Sequence, residues 1–303
     1  MGTSYNTKDE TMKIVVTTPT GHIGSRVVQL LIQAGVRPTI IARDPARLAP
    51  EVREASDVRQ GDLTDLDFVL QTTEGADALF WLIPTNYASA DPVGDIVRVG
   101  QNAAEAIQKN NIARTVFLSS AGADRRGGDF ISALGRVEDL LNATNASVTH
   151  LRPGFFFTNL FMGLEELKQG LFFTTVPLDI PMPWNDPRDV GEIAAARLLA
   201  TDWTGQSVQE IQGPQHLTFG EVSAIVTEAT GHKVETVRIS DDELRQALLR
   251  AGLGAPSAEA YVEMMGGLTE GQGDWRPRTF VTTTPTTLGA WSYANLRPAL
   301  AGN

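Results

Sequence analysis

The residues best suited to chemistry stand near the start of the chain, in VVTTPTGHIGSRVVQLL, Val15 to Leu31. An apolar run that reads as a strand enters a turn holding Gly21 and Gly24, and a helical pattern follows. A diphosphate is bound by backbone N–H groups at a helix N-terminus, reached through a turn too tight for intervening side chains. Gly21 and Gly24 keep the spacing of the last two glycines in G-x-x-G-x-x-G, while Thr18 stands where the first would be. Pro19 presets φ at about −65°, and Thr18 can still offer its own backbone N–H, so the turn is expected to be altered rather than abolished. Thr18, Thr20, Gly21, His22, Ile23 and Gly24 are the expected contacts of a dinucleotide, with Thr17, Thr20 and Ser25 as hydroxyl donors and Arg26 as nearby charge. A strand–turn–helix kept only for packing is the alternative reading.

The second apolar run ends in IIARDPARL. Asp44 has the spacing of an acidic residue that holds a ribose 2′-hydroxyl, but it precedes Pro45, the pairing of a helix N-cap with its first residue. We assign Asp44 to capping. Arg43 then faces the adenosine 2′ position, where a guanidinium suits a phosphate, and NADP(H) is expected in preference to NAD(H). A solvated Arg43 is the alternative.

The elements that must position these residues follow from the apolar pattern. Runs at Lys13–Thr17, Thr39–Ala42, Ala78–Ile83, Thr115–Ser119 and Val148–Leu151 alternate with helical stretches, which predicts βαβ units. Asp95–Lys109 places Ile96, Val99, Ala103, Ala106 and Ile107 on one helical face. After Arg152 come aromatic and proline-rich pieces, with helices expected at Val190–Ala200 and Phe219–Ala229. The expected architecture is α/β: a doubly wound parallel Rossmann sheet over residues 12–152 and a small C-terminal substrate lobe over 153–303. A strand near 208–213 is expected to return to the main sheet. Glu270–Arg278 reads as a flexible loop, and Asp189 as the N-cap of the helix beginning at Val190.

Composition narrows the function. No run approaches the roughly 18 apolar residues of a membrane span, and MGTSYNTKDET lacks the apolar core of a signal peptide, so a cytoplasmic protein is expected. The chain has no cysteine and four scattered histidines, which leaves no metal site to expect. With 25 basic and 36 acidic residues the net charge is −11, which disfavours direct nucleic-acid binding.

Taken together, the sequence resembles the NmrA-like group of atypical short-chain dehydrogenases/reductases along nearly its whole length. The stretches that carry the likeness are VTTPTGHIG, ARDPARL, GDLTD at Gly61–Asp65, FWLIP at Phe80–Pro84, SSAGA at Ser119–Ala123 and HLRPGFFFTNL at His150–Leu160. PMPWNDPRDVG, IQGPQHLTFGEV and TPTTLGAW continue it in order. The resemblance implies that Asp62 and Leu63 meet the adenine, that Leu82, Ile83 and Pro84 meet the ribose and diphosphate side, and that Ser119, with Ser120 beside it, lies at the nicotinamide. For Asp62 a turn or helix cap is an equal alternative.

Typical short-chain dehydrogenases use a Tyr-x-x-x-Lys pair, whose lysine lowers the tyrosine pKa and anchors the ribose. This chain has none: the residues four beyond Tyr5, Tyr87, Tyr261 and Tyr293 are Asp9, Asp91, Met265 and Arg297. Leu134 occupies the place of a lysine kept by many members of the group. The cleft is expected among Ser119, Ser120, Tyr87, Trp81, His150, Arg152, Asn159, Phe156 and Trp184, with Ser119, Tyr87 and His150 as catalytic candidates. The plain alternatives are a structural His150, an Arg152 paired with a carboxylate, and core aromatics. The leading expectation is an NAD(P)H-dependent reductase of a quinone-like or conjugated small molecule. An NADP(H)-sensing regulatory protein and a non-redox isomerase, dehydratase or cyclase are the alternatives. A protein partner or a homodimer stays open.

Overall fold

The computed structural model describes residues 12–270 and 275–302. In chain order the first half runs β1 (Ile14–Thr17), α1 (His22–Gln33), β2 (Thr39–Ala42), α2 (Pro50–Glu54), β3 (Asp57–Gln60), α3 (Leu66–Thr73) and β4 (Ala78–Trp81). It continues with α4 (Pro92–Asn110), β5 (Arg114–Leu118), α5 (Phe130–Asn142) and β6 (Ser147–Pro153). The second half holds β7 (Phe155–Phe156), α6 (Leu164–Lys168), β8 (Leu171–Thr174), β9 (Met182–Asn185), α7 (Pro187–Leu199) and β10 (Gln206–Ile211). Then come β11 (His216–Leu217), α8 (Phe219–Thr230), β12 (Glu235–Arg238), α9 (Asp241–Arg250) and α10 (Ala255–Glu270), followed by short helical turns from Leu288 to Leu300.

Seven strands form one parallel sheet in the order β10-β6-β5-β4-β1-β2-β3. β1, β2 and β4 are buried along their whole length, as expected where helices cover both faces. On one face α4 buries Ile96, Val99, Ala103, Ala106 and Ile107, the same five residues that the helical period singles out. Gly100 lets α5 approach there, since a Cβ would lie 2.4 Å from a methyl of Val137. On the other face, Ile23, Val27, Val28 and Leu31 of α1 pack with Val190, Ala194 and Leu198 of α7. Both α7 and β10 therefore belong to the sheet layers, although the chain reaches them after passing through the lobe.

The lobe has its own core of Phe157, Trp184, Phe219, Val222 and Trp291, around a small β11-β9-β7 sheet and a β8-β12 pair. One expected cap is corrected here. α7 begins at Pro187, with Asp186 accepting from the Arg188 N–H at 3.0 Å, so Asp186 is the N-cap. Asp189 instead accepts from the backbone and hydroxyl of Thr286. Among the described residues no helix is long and apolar enough to cross a membrane. Residues 271–274 of the expected Glu270–Arg278 loop lie outside the described residues.

Candidate functional site

Strand order reverses between β1 and β4, which opens a crevice at their C-terminal ends, the usual ligand position in an open α/β sheet. The glycine turn fills its rim. Thr18 takes φ +50°, the left-handed conformation that a glycine would supply, so the turn closes in the ordinary way despite a branched side chain. Gly21 N–H donates to the Thr18 carbonyl at 3.2 Å. A Cβ on Gly24 would lie 2.2 Å from that carbonyl oxygen, so only glycine allows α1 to start this close to the strand.

Gly21 is the N-cap of α1 and brings no side-chain acceptor. The first-turn N–H groups are thus left open, whereas Asp65, Asp91, Asp129, Asp186, Thr218 and Ser240 cap α3, α4, α5, α7, α8 and α9. A bare peptide cradle at a helix N-terminus fits a diphosphate.

From this turn a groove of about 630 Å³ runs past Thr18, Thr20, Gly21, Arg43, Asp62, Leu63, Leu82 and Pro84. Asp44 caps the short turn Pro45–Arg47 through the Ala46 N–H at 3.0 Å, as the Asp-Pro pair predicts. Arg43 and Arg47 line the groove and form no ion pair among the described residues. Arg47 was not singled out by sequence, yet the cap at Asp44 was the available signal, because it starts the turn that brings Arg47 back beside Arg43. Asp62 accepts from the Thr64 N–H and hydroxyl and so holds its own loop while facing the groove, and Asp65 is the helix cap.

Four neighbours of the turn do other work. Thr17 Oγ1 donates to the Leu82 carbonyl at 3.0 Å and accepts from the Leu82 N–H at 2.8 Å, clamping β1 to β4. The Ser25 hydroxyl turns to the His22 carbonyl, and Arg26 pairs with Glu192 on α7. The Ile23 side chain is buried in the core beneath α1. His22 is exposed and lies outside the groove lining, near Asp186.

The groove meets a second cavity of about 270 Å³ at Leu82 and Ile96. Its walls include Ile83, Tyr87, Ser119, Ser120, Leu134, Phe156, Asn159 and Tyr261. Among the described residues no charged side chain lines it. Tyr261, on α10, is a residue the sequence reading passed over. Nothing in its helical neighbourhood signals a site. Its place over the cavity depends on α10 docking through Gly254 N–H on the Tyr87 carbonyl at 3.0 Å and Glu263 on the Gly128 N–H at 2.8 Å.

Several expected cleft residues lie elsewhere. Trp81 and Trp184 are fully buried in the two cores, and the Trp184 indole donates to the Leu217 carbonyl. His150 is 1% exposed on β6, with Nε2 at 2.8 Å from Asn142 Oδ1 and its ring edge-on to Phe117. Burial, more than its charged neighbours, holds its pKa below the ordinary histidine value. His150 is thus buried outside the cavity lining, whereas the other two candidates, Ser119 and Tyr87, line it. Arg152 makes a buried two-point pair with Glu138 of α5, at 2.9 and 2.6 Å. Burial pushes the Glu138 carboxyl up, but the Arg152 guanidinium hydrogen-bonded to it outweighs that and leaves the group below its usual range. The pair ties α5 to β6, two elements that line the cavity.

A sequence model described as the NmrA-like family matches residues 10–273. The chain is 27% identical over 254 residues to the NAD(P)H azoreductase of Xenophilus azovorans, covering 83% of this chain and 85% of that protein. It is 31% identical over 255 residues to the (4-alkanoyl-5-oxo-2,5-dihydrofuran-3-yl)methyl phosphate reductase of Streptomyces griseus subsp. griseus, covering 82% and 85%. Among solved structures, the NADPH-dependent quinone oxidoreductase of Escherichia coli complexed with NADPH superposes with a TM-score of 0.76 at 21% identity, over 94% of this chain and 99% of that one. That likeness establishes the shared fold.

Proposed function

The chain belongs to the NmrA-like family, and from that premise we propose that it is an NAD(P)H-dependent reductase of quinone-like or other conjugated small molecules. One observation carries the reading: a groove floored by the bare glycine turn opens at its far end into an apolar chamber that no charged side chain among the described residues lines. A neutral, planar acceptor suits such a chamber, since a charged substrate would lose its hydration without a partner. The names of the azoreductase and the quinone oxidoreductase point the same way.

The open N–H groups of the first turn of α1, His22 to Gly24, would hold the diphosphate. Arg43 and Arg47 would receive a 2′-phosphate, which favours NADP(H) over NAD(H). Asp62 and Leu63 would meet the adenine, and Leu82, Ile83 and Pro84 the ribose side. When bound, the nicotinamide supplies a hydride. Ser119 and Ser120 would border that ring, and Tyr87 would face the substrate. The apolar walls exclude water from the reacting atoms.

The test is NADPH oxidation by a simple quinone, together with a fluorescence titration of NADPH. A Cβ on Gly21 would stand 3.6 Å from the Thr18 carbonyl, in ordinary contact, so Gly21→Trp fills the groove without breaking the turn. We expect turnover and binding in the parent protein and loss of both in the variant. Binding that survives in Gly21→Trp would overturn the site. Binding without turnover across a panel of quinones, azo compounds and enones would overturn the reductase and leave a sensor.

A further inference from the structure

The cavity brings together two phenols from distant parts of the chain, Tyr87 after β4 and Tyr261 on α10. Tyrosine hydroxyls enclosed by protein normally find a hydrogen-bond partner. Tyr87 is 41% exposed and lines the cavity beside Thr85, with its hydroxyl free to meet a guest. The Tyr261 hydroxyl has no hydrogen-bond partner among the described residues. Leu134 fills the wall where a lysine would have made a phenol acidic, and no cation among the described residues lines the chamber. Burial raises the Tyr87 pKa, and burial with the neighbouring Tyr87 pushes Tyr261 up to about 12. Both side chains are therefore neutral donors over the working pH range, neither bases nor ready acids.

We propose that Tyr87 and Tyr261 form a two-donor clamp for the oxygen or nitrogen on which negative charge collects as a conjugated acceptor takes up a hydride. This rests on the reductase reading above. In that step a bond to hydrogen forms on the acceptor, its π electrons move to the conjugated heteroatom, and the nicotinamide is oxidised. The two O–H groups hydrogen-bond the resulting anion and keep their protons, and water provides the proton that completes the reduced product. Fixed donors aimed at developing charge stabilise it more than they stabilise the neutral ground state.

The clamp predicts a preference for anions that can be read without turnover. p-Nitrophenolate, followed by its visible absorbance, and nitrobenzene as its uncharged counterpart are titrated into the NADP+-saturated protein. The ratio of the two affinities is expected to fall about tenfold or more in Tyr261→Phe, as for loss of a hydrogen bond to a charged group. Nitrobenzene binding should be unchanged. Tyr87→Phe is the second variant and keeps the test decisive should Tyr261→Phe fail to fold. A ratio unaltered by the folded variants overturns the clamp. Quinone reduction at the parental rate in Tyr261→Phe overturns it too, while leaving the reductase standing. A phenolate preference lost in the variants of a protein that reduces no acceptor would support the donor pair and remove the reductase reading instead.

Discussion

The groove and the cavity are built on opposite principles. The groove is made of backbone: a left-handed residue, two glycines and a helix N-terminus, all within Thr18–Gly24. The cavity is made of side chains from the segment after β4, from β5, α5, the β6–β7 corner and α10, held in place by contacts among elements far apart in sequence. A site written in local backbone can survive change anywhere except at its own few residues. A site assembled from side chains depends on whatever fixes those elements to one another, and here that includes the Arg152–Glu138 pair between β6 and α5.

The largest effect should come from breaking that support. Arg152→Met leaves Glu138 buried without its partner, and loss of one member of a buried pair costs about 3–5 kcal/mol. Denaturant unfolding measures this. If the pair acts as argued, adding Glu138→Leu to Arg152→Met should recover much of the stability, because a matched apolar replacement leaves no buried charge. A double variant as unstable as the single one would mean that packing, not charge, is what Arg152 provides.

Gly24→Ala attacks the groove instead. With its Cβ 2.2 Å from a backbone oxygen, α1 must withdraw from the turn. We expect a loss of about 2 kcal/mol or more in stability, the range of severe single substitutions, and a collapse of NADPH affinity. Cavity ligands such as nitrobenzene should bind the folded fraction normally, and if they are lost equally the two regions are not independent.

The contrast also explains what could be read beforehand. The Gly21–Gly24 spacing, the Asp44–Pro45 cap and the buried stripe of α4 are local patterns, and the sequence displays them directly. Asp186 carries the same Asp-Pro signal as Asp44, and following it would have started α7 at Pro187 rather than three residues later. Arg26 reads as charge near the turn, but sequence does not show that Glu192 lies across the helix pair from it. His150 alternates correctly for a strand, but which layer it faces is fixed by Asn142 and Phe117. Tyr261 sits in an ordinary helical pattern, and only the docking of α10 gives it a place in the cavity.

A smaller effect should appear with pH. Burial holds the folded His150 pKa below the ordinary value of about 6.5. The unfolded chain therefore binds a proton first as pH falls. The stability due to neutral His150 is complete above about pH 6.5 and declines from there towards the folded value. His216, also lowered chiefly by burial, adds to the same slope. Glu138, held low, loses its contribution only further down, below the unfolded glutamate value of about 4.3. Urea midpoints at pH 7.5 and 5.5 should differ, and His150→Gln, which can still donate to Asn142, should narrow the gap. An unchanged gap would place the titration elsewhere.

The smallest effect separates the conformation of the turn from its chemistry. Thr18 holds φ +50° and buries an Oγ1 without a hydrogen-bond partner, two unfavourable features at one residue of the groove. A left-handed non-glycine residue costs roughly 1–2 kcal/mol, and glycine loses about 0.5–1 kcal/mol through its freer unfolded state. Thr18→Gly should therefore raise stability by about 0.5–1 kcal/mol, read as a later urea midpoint with an unchanged slope. If the groove binds through its peptide groups, NADPH affinity should stay within about threefold of the parent, since the Thr18 N–H and carbonyl remain. A tenfold loss of affinity in a stabilised Thr18→Gly would show that the methyl or hydroxyl of Thr18 contributes to binding, and the groove would then share the side-chain dependence of the cavity.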